Sequence, residues 1–104
     1  MTLKLRKDIF PLLVSGAKTS TSRFGIREAK VGETLTFVMT EDETVKLNTV
    51  ITDIKHCKFK DLTEVEAFKE GYNTLDELKN FLKSKYNCNE EDDFTLLHFT
   101  TETA

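Results

Sequence analysis

The chain has no tryptophan, and only two cysteines and two histidines among its 104 residues. Cys57 and Cys88 lie far apart, neither has a CxxC partner, and no histidine cluster completes a ligand set. These spacings argue against a zinc site, and neither a metal nor a cofactor is expected. Two lone thiols fit a reducing compartment, although a disulfide between them stays open at this stage. No apolar run approaches the ~18 residues that a membrane span needs. Met1 leads straight into "TLKLR" without the charged and apolar regions of a secretory leader. The expectation is a cytoplasmic protein with no membrane partner. Repeats, linkers and low-complexity tracts are missing too, so one domain is expected over residues 1–104.

Eight phenylalanines supply the bulky core material that tryptophan does not. Hydrophobic residues make up 38% and charged residues 32%, which permits a modest core and argues against disorder. The charge is unevenly spread. Residues 1–30 hold seven basic and two acidic side chains, a net +5, whereas residues 61–104 hold four basic and eleven acidic ones, a net −7. A basic third can attract phosphate. The plainer reading is that the two ends attract each other across the fold.

Along the chain, "TLKLR" alternates and reads as a strand. "KDIFPLLVSG" reads as a short helix, with Asp8 as N-cap, Pro11 in the first turn and Gly16 as the left-handed C-cap. Lys18 to Arg23 suits an extended segment, "FGIREAKVGE" a loop and "TLTFVMT" a strand. "TVKLNTVITDIKHCKF" is a long strand whose period of two slips near Val50–Ile51, which predicts a bulge or bend. Two capping-box spacings follow, Thr63 to Glu66 and Thr74 to Glu77. The first helix should stop at Gly71. The second carries Leu75, Leu78, Leu82 and Tyr86 at helical intervals. "FTLLHFTT" closes as a strand. The order of elements predicts an α+β fold, a small curved and mainly antiparallel sheet or barrel with flanking helices.

The stretch "SGAKTSTSR", Ser15 to Arg23, packs a lysine, an arginine and four hydroxyls behind a glycine. It resembles the signature of the ASCH domain family, whose fold is the PUA-like β-barrel. That signature is a glycine, a lysine two positions on, an acid three after the lysine, and an arginine two further. Gly16, Lys18 and Arg23 match, and Thr21 stands at the acid position. A threonine there is similar to the branch of N4-acetylcytidine amidohydrolases, small proteins that the chain resembles over nearly its whole length. "KVGETLTF" and "TLDEL" resemble further stretches of that family. The resemblance implies a catalytic set of Lys18, Thr21 and Glu70, an acylated cytosine nucleoside as substrate and no cofactor. The alternative it leaves is a nucleotide- or RNA-binding PUA-like module without catalysis.

Amide hydrolysis needs a nucleophile, a proton acceptor, a donor for the leaving amine and something to hold the oxyanion. Thr21 can be the nucleophile if a base lies near. Residues three apart in a regular strand point to opposite faces, so a turn after Gly16 is needed to bring Lys18 and Thr21 together. A lysine half-neutral at pH 7 must be destabilised as a cation by about 4.6 kcal/mol. Burial, or Arg23 as a cationic neighbour, would act in that direction. A neighbouring Glu70 would act against it, and the roles would then exchange: Glu70 takes the proton and Lys18 stabilises the oxyanion. Arg23 can position a pyrimidine carbonyl or a phosphate through its planar fork. Tyr72 and Phe24 can stack on a base, and each has a packing role as its plain alternative. His56 and His98 have no visible partner and are assigned to structure. Glu70 near a helix C-terminus opposes the dipole, a misfit that favours a functional role.

Overall fold

The structure, a computed structural model, describes residues 1–101; positions 102–104 of the expected domain lie outside the described residues. In chain order the elements are β1 (Thr2–Leu5), α1 (Phe10–Ser15), β2 (Ser20–Phe24), β3 (Thr34–Met39) and β4 (Lys46–Lys58). A 3-10 turn (Phe59–Asp61), α2 (Glu64–Lys69), α3 (Leu75–Tyr86) and β5 (Asp93–Thr101) follow. The five strands form one sheet in the order β1-β3-β4-β5-β2. β1 runs parallel to β3, and every other neighbouring pair is antiparallel. The sheet curls into a half-barrel whose unpaired edges are β1 and β2, and one cavity is lined from both.

The bend in the longest strand falls close to the expected place. The β4–β5 register shifts between Ile51 and Asp53, which leaves Thr52 as the extra residue. A bulge of this kind sharpens local twist and lets one 13-residue strand serve a curved sheet.

Alternation divides the apolar residues between the two faces. On one face Leu97 and Phe99 of β5 meet Leu35, Phe37 and Ile51, under Phe10 and Leu13 of α1. On the other, Phe94 and Leu96 meet Phe59, Leu62 and Ala67, with Leu78 and Leu82 of α3. Each fully buried side chain of this kind contributes roughly 1.5–3 kcal/mol. Cys57 and Cys88 are free thiols at the margin of the second cluster.

Local chemistry explains the helix limits. Thr63 and Glu66 form a reciprocal capping box at the start of α2, satisfying donors that a helix N-terminus leaves open. At α3 only half of the box is made, the Thr74 hydroxyl accepting from the Glu77 amide at 3.2 Å. The expected cap of α1 is corrected. Ile9, not Asp8, is its N-cap, and no side chain caps that end. The Asp8 carboxylate instead lies 3.4 Å from Arg6. Gly16 ends α1 with φ 85°, and Gly71 turns the chain after α2 with φ 92°, a region that glycine enters without a Cβ penalty.

Candidate active site

The segment between Gly16 and β2 is irregular, so strand spacing does not govern how Lys18 stands relative to Thr21. The left-handed Gly16 directs the chain back over α1, where the Lys18 amide donates to the Leu12 carbonyl at 2.9 Å. The Thr19 amide then donates to the Lys69 carbonyl at 2.6 Å, tying this segment to the end of α2. Lys18 therefore lies before the strand, and strand alternation does not separate it from Thr21.

β2 is an edge strand, so alternate backbone groups face away from β5 with no partner in the sheet. Two of these outward groups are the Ser20 carbonyl and the Ser22 amide. The Lys18 ammonium donates to the first at 2.9 Å. The Glu70 carboxylate accepts from the second at 3.0 Å, and from the Ser22 hydroxyl at 2.5 Å. Lys18 Nζ also lies 3.8 Å from Glu70 Oε1 and donates to the Glu70 carbonyl at 3.5 Å. The lysine and the glutamate thus complete the open edge of β2 while facing each other. The misplaced acid at the end of α2 has its partners here.

Lys18, Thr21 and Glu70 are all nearly inaccessible, at 5%, 4% and 5% exposure. All three line one cavity of about 400 Å³, together with Ser22, Arg23 and Tyr72. A cavity of that size is in the range that holds a small organic ligand. Burial sets the electrostatics. It lowers the Lys18 pKa to about 8, against the pull of Glu70 and with help from the Arg23 and Lys85 charges. Burial likewise raises Glu70 above the ordinary carboxylate value, opposed by Lys18 and by the bonds from Ser22. Burial and the nearby Glu70 charge push Tyr72 up to about 12, so its hydroxyl keeps its proton. The Arg23 Nε is buried without a hydrogen-bond partner among the described residues.

Of the six side chains singled out from the sequence, five therefore meet at this cavity: Lys18, Thr21, Glu70, Arg23 and Tyr72. The sixth, Phe24, is corrected. It does not line the cavity; its ring stacks on Tyr86 at 5.6 Å and meets Phe94 edge-on at 5.6 Å. It is core margin, because it falls at the end of β2 where α3 covers the sheet. Ser22 was missed. The run of hydroxyls in "TSTS" marks it as one of four alike, and only the edge geometry shows which of them holds Glu70. His56 sits beside Thr95, its Nδ1 3.3 Å from that hydroxyl, and neither histidine lines the cavity. Among the described residues no group of three or more His, Cys, Asp or Glu side chains is placed to hold a metal ion, and no helix is long and apolar enough to cross a membrane.

The ASCH domain family model matches residues 3–102. No curated protein matches the chain. Among solved structures, an ASCH domain from Lactobacillus crispatus superimposes with a TM-score of 0.73 at 18% identity, over 90% of this chain and 70% of that one. The hypothetical protein PH0355 gives 0.72 at 14% identity, over 97% of both chains. ASCH from Zymomonas mobilis gives 0.70 at 14% identity, over 95% of this chain and 65% of that longer one. At these identities the likeness is one of fold, and the fold is the PUA-like α+β architecture.

Proposed function

The chain belongs to the ASCH domain family, and from that premise we propose that it is an amidohydrolase which removes the acyl group of N4-acetylcytidine, or of a related acylated cytosine nucleoside, without a metal. The observation that carries the reading is the buried meeting of an amine, a hydroxyl-bearing strand and a carboxylate at one cavity.

The pKa directions favour one division of roles. A lysine with a pKa of about 8 is still about nine-tenths protonated at pH 7, so it serves as a cation. Glu70, raised by burial, is a stronger base than a free carboxylate. Thr21 Oγ attacks the acetyl carbon and its proton passes to Glu70. The oxyanion forms beside the Lys18 ammonium, where a water-poor site strengthens the attraction. The C–N bond then breaks, the cytosine amine takes a proton from Glu70, and cytidine leaves. Water, deprotonated by the same carboxylate, hydrolyses the threonine ester, releasing acetate and restoring the hydroxyl. The net change is one amide and one water to one amine and one acid. Arg23 directs its unpartnered Nε–H at the pyrimidine carbonyl, and Tyr72 supplies an aromatic wall and a hydroxyl donor.

The test is direct. Purified protein incubated with N4-acetylcytidine should yield cytidine and acetate by chromatography, with the same rate in the presence of EDTA. EDTA-sensitive turnover would remove the metal-free claim.

A second reading, a nucleotide- or RNA-binding module without catalysis, has one observation in its favour. Lys4, Arg6, Lys18, Arg23 and Lys85 line the cavity, and Glu70 is the one acid among the described residues that line it. Binding of an oligoribonucleotide that weakens steeply with salt, with no turnover of the acylated nucleoside, would select it.

A further inference from the structure

The roles given to Lys18, Thr21, Glu70 and Arg23 leave three lining cations unused, Lys4, Arg6 and Lys85. Arg6, just past β1, places its guanidinium carbon 5.7 Å from the centre of the Phe81 ring, and Lys85 of α3 places its ammonium 5.8 Å from the same ring. Two positive side chains from distant parts of the chain thus lie against one aromatic ring of the cavity lining. The Lys85 ammonium lies over aromatic rings, Phe81 and Tyr86, with no carboxylate within ion-pair distance among the described residues. Arg6 shares only an exposed contact with Asp8, at 3.4 Å, which leaves most of its donor fork free. Lys4, by contrast, is engaged by Glu43 at 3.0 Å.

Arg23 lines the same cavity, and its buried Nε is also without a partner among the described residues. A protein rarely keeps a buried guanidinium nitrogen unsatisfied, because the lost hydrogen bond is not replaced by water. Three cationic donors at one cavity, two against an aromatic ring and one orphaned, describe a ligand with an anionic end and a separate acceptor. A cytosine nucleotide has both, a ring carbonyl and a phosphate about one ribose apart.

We propose that Arg6 and Lys85 form a phosphate subsite, and that the preferred ligand is a cytosine mononucleotide rather than the free nucleoside. The proposal rests on the reading of the cavity as a cytosine site. A mononucleotide is favoured over a polymer because, with Lys4 held by Glu43, only Arg6 and Lys85 are left at this cavity to meet phosphate.

The experiment is calorimetric titration of the full chain with cytidine, with cytidine 5′-monophosphate and with a cytidine-containing tetraribonucleotide, at low and at raised salt. None of these ligands can be deacetylated, so binding is read separately from hydrolysis. The mononucleotide should bind about 10- to 100-fold more tightly than cytidine at low salt, the gain expected of one or two charge-assisted contacts. That advantage should shrink with added salt, and Arg6→Gln with Lys85→Gln should cut it about tenfold. Both side chains are exposed, so the variant keeps its core. Turnover of N4-acetylcytidine 5′-monophosphate should show the same ratio in kcat/KM. Equal affinity for cytidine and its monophosphate overturns the subsite, as does an advantage that survives the double substitution, or no binding of either ligand. A tetranucleotide bound tenfold more tightly than the mononucleotide overturns the choice of ligand in favour of RNA. Nucleotide preference in binding without any deacetylation would leave the subsite standing and remove the hydrolytic reading alone.

Discussion

At the scale of single residues the account turns on which group carries which proton. Because Lys18 is proposed to act as a cation and Glu70 as a base, the rate of deacetylation should rise with pH as Glu70 loses its proton. It should fall again above about pH 8, as Lys18 loses its own. A rate that keeps climbing through pH 8 would reverse the roles and make the neutral lysine the base. The two limbs belong to the coupled pair rather than to either residue alone. Ser22 offers an independent check. Its amide and hydroxyl favour the ionised form of Glu70, so Ser22→Ala should move the acidic limb to higher pH while the protein stays folded. An unmoved limb would mean that Ser22 does not position the carboxylate. The sequence made Lys18, Thr21 and Glu70 visible through their spacing and their resemblance to a family. It did not reveal Ser22, because strand periodicity does not say which side of a strand will be a free edge. Phe24 was misplaced for a related reason: an aromatic beside an arginine looks alike whether α3 or a ligand covers it.

At the scale of elements, the site depends on how α2 ends. Gly71 has φ 92°, and a Cβ there would stand 3.0 Å from Leu12 Cδ1 and 3.8 Å from Lys18 Cβ. Gly71→Ala should therefore cost about 1–2 kcal/mol in urea unfolding from backbone strain alone. It should also weaken turnover, since Gly71 directly follows Glu70 and the added methyl would push against Leu12 of α1. Activity falling without loss of stability would place the strain elsewhere. At the other end of α2, Thr63→Ala removes one side of the capping box and should cost about 1 kcal/mol with little change in kcat. The capping boxes, the apolar stripe of α3 and the bulge in β4 were legible because each depends on residues close in the chain. The α1 start was not: Asp8 lies near Arg6 and found an ion pair instead of a helix end. Nor was strand order legible, since β1 pairs with β3 and leaves β2 to the far edge beside β5.

At the scale of the whole molecule, the fold class followed from the count and order of elements. The charge asymmetry resolved less simply. Among the described residues one ion pair joins the basic first third to the acidic last third, and it is the buried Lys18–Glu70 pair. The others run within the first third or through the middle of the chain, as in Lys4–Glu43 and Lys60–Glu91. A buried pair of this kind is a burden on stability. With Lys18 depressed to about 8 in the fold and near its ordinary 10.5 when unfolded, the unfolded chain binds the extra proton between those values. Stability should therefore rise with pH across that window, by on the order of 3 kcal/mol from this group. Lys18→Met should abolish the rise while leaving Glu70 buried without its partner. The double variant Lys18→Met/Glu70→Gln should be more stable than either single variant in urea unfolding at pH 7, as buried pairs replaced together usually are. A double variant less stable than both singles would show that the pair is a structural strut of the β2 edge rather than a site maintained against stability.

The most direct test of the central claim is single-enzyme turnover of N4-acetylcytidine, followed by chromatography, in the wild-type chain and in Thr21→Ala and Thr21→Ser. The account predicts stoichiometric cytidine and acetate from the wild type, a loss of at least ~10²-fold in Thr21→Ala, and partial recovery in Thr21→Ser, which restores a hydroxyl at the same position. No release of acetate by the wild type, or full activity in Thr21→Ala, would contradict it.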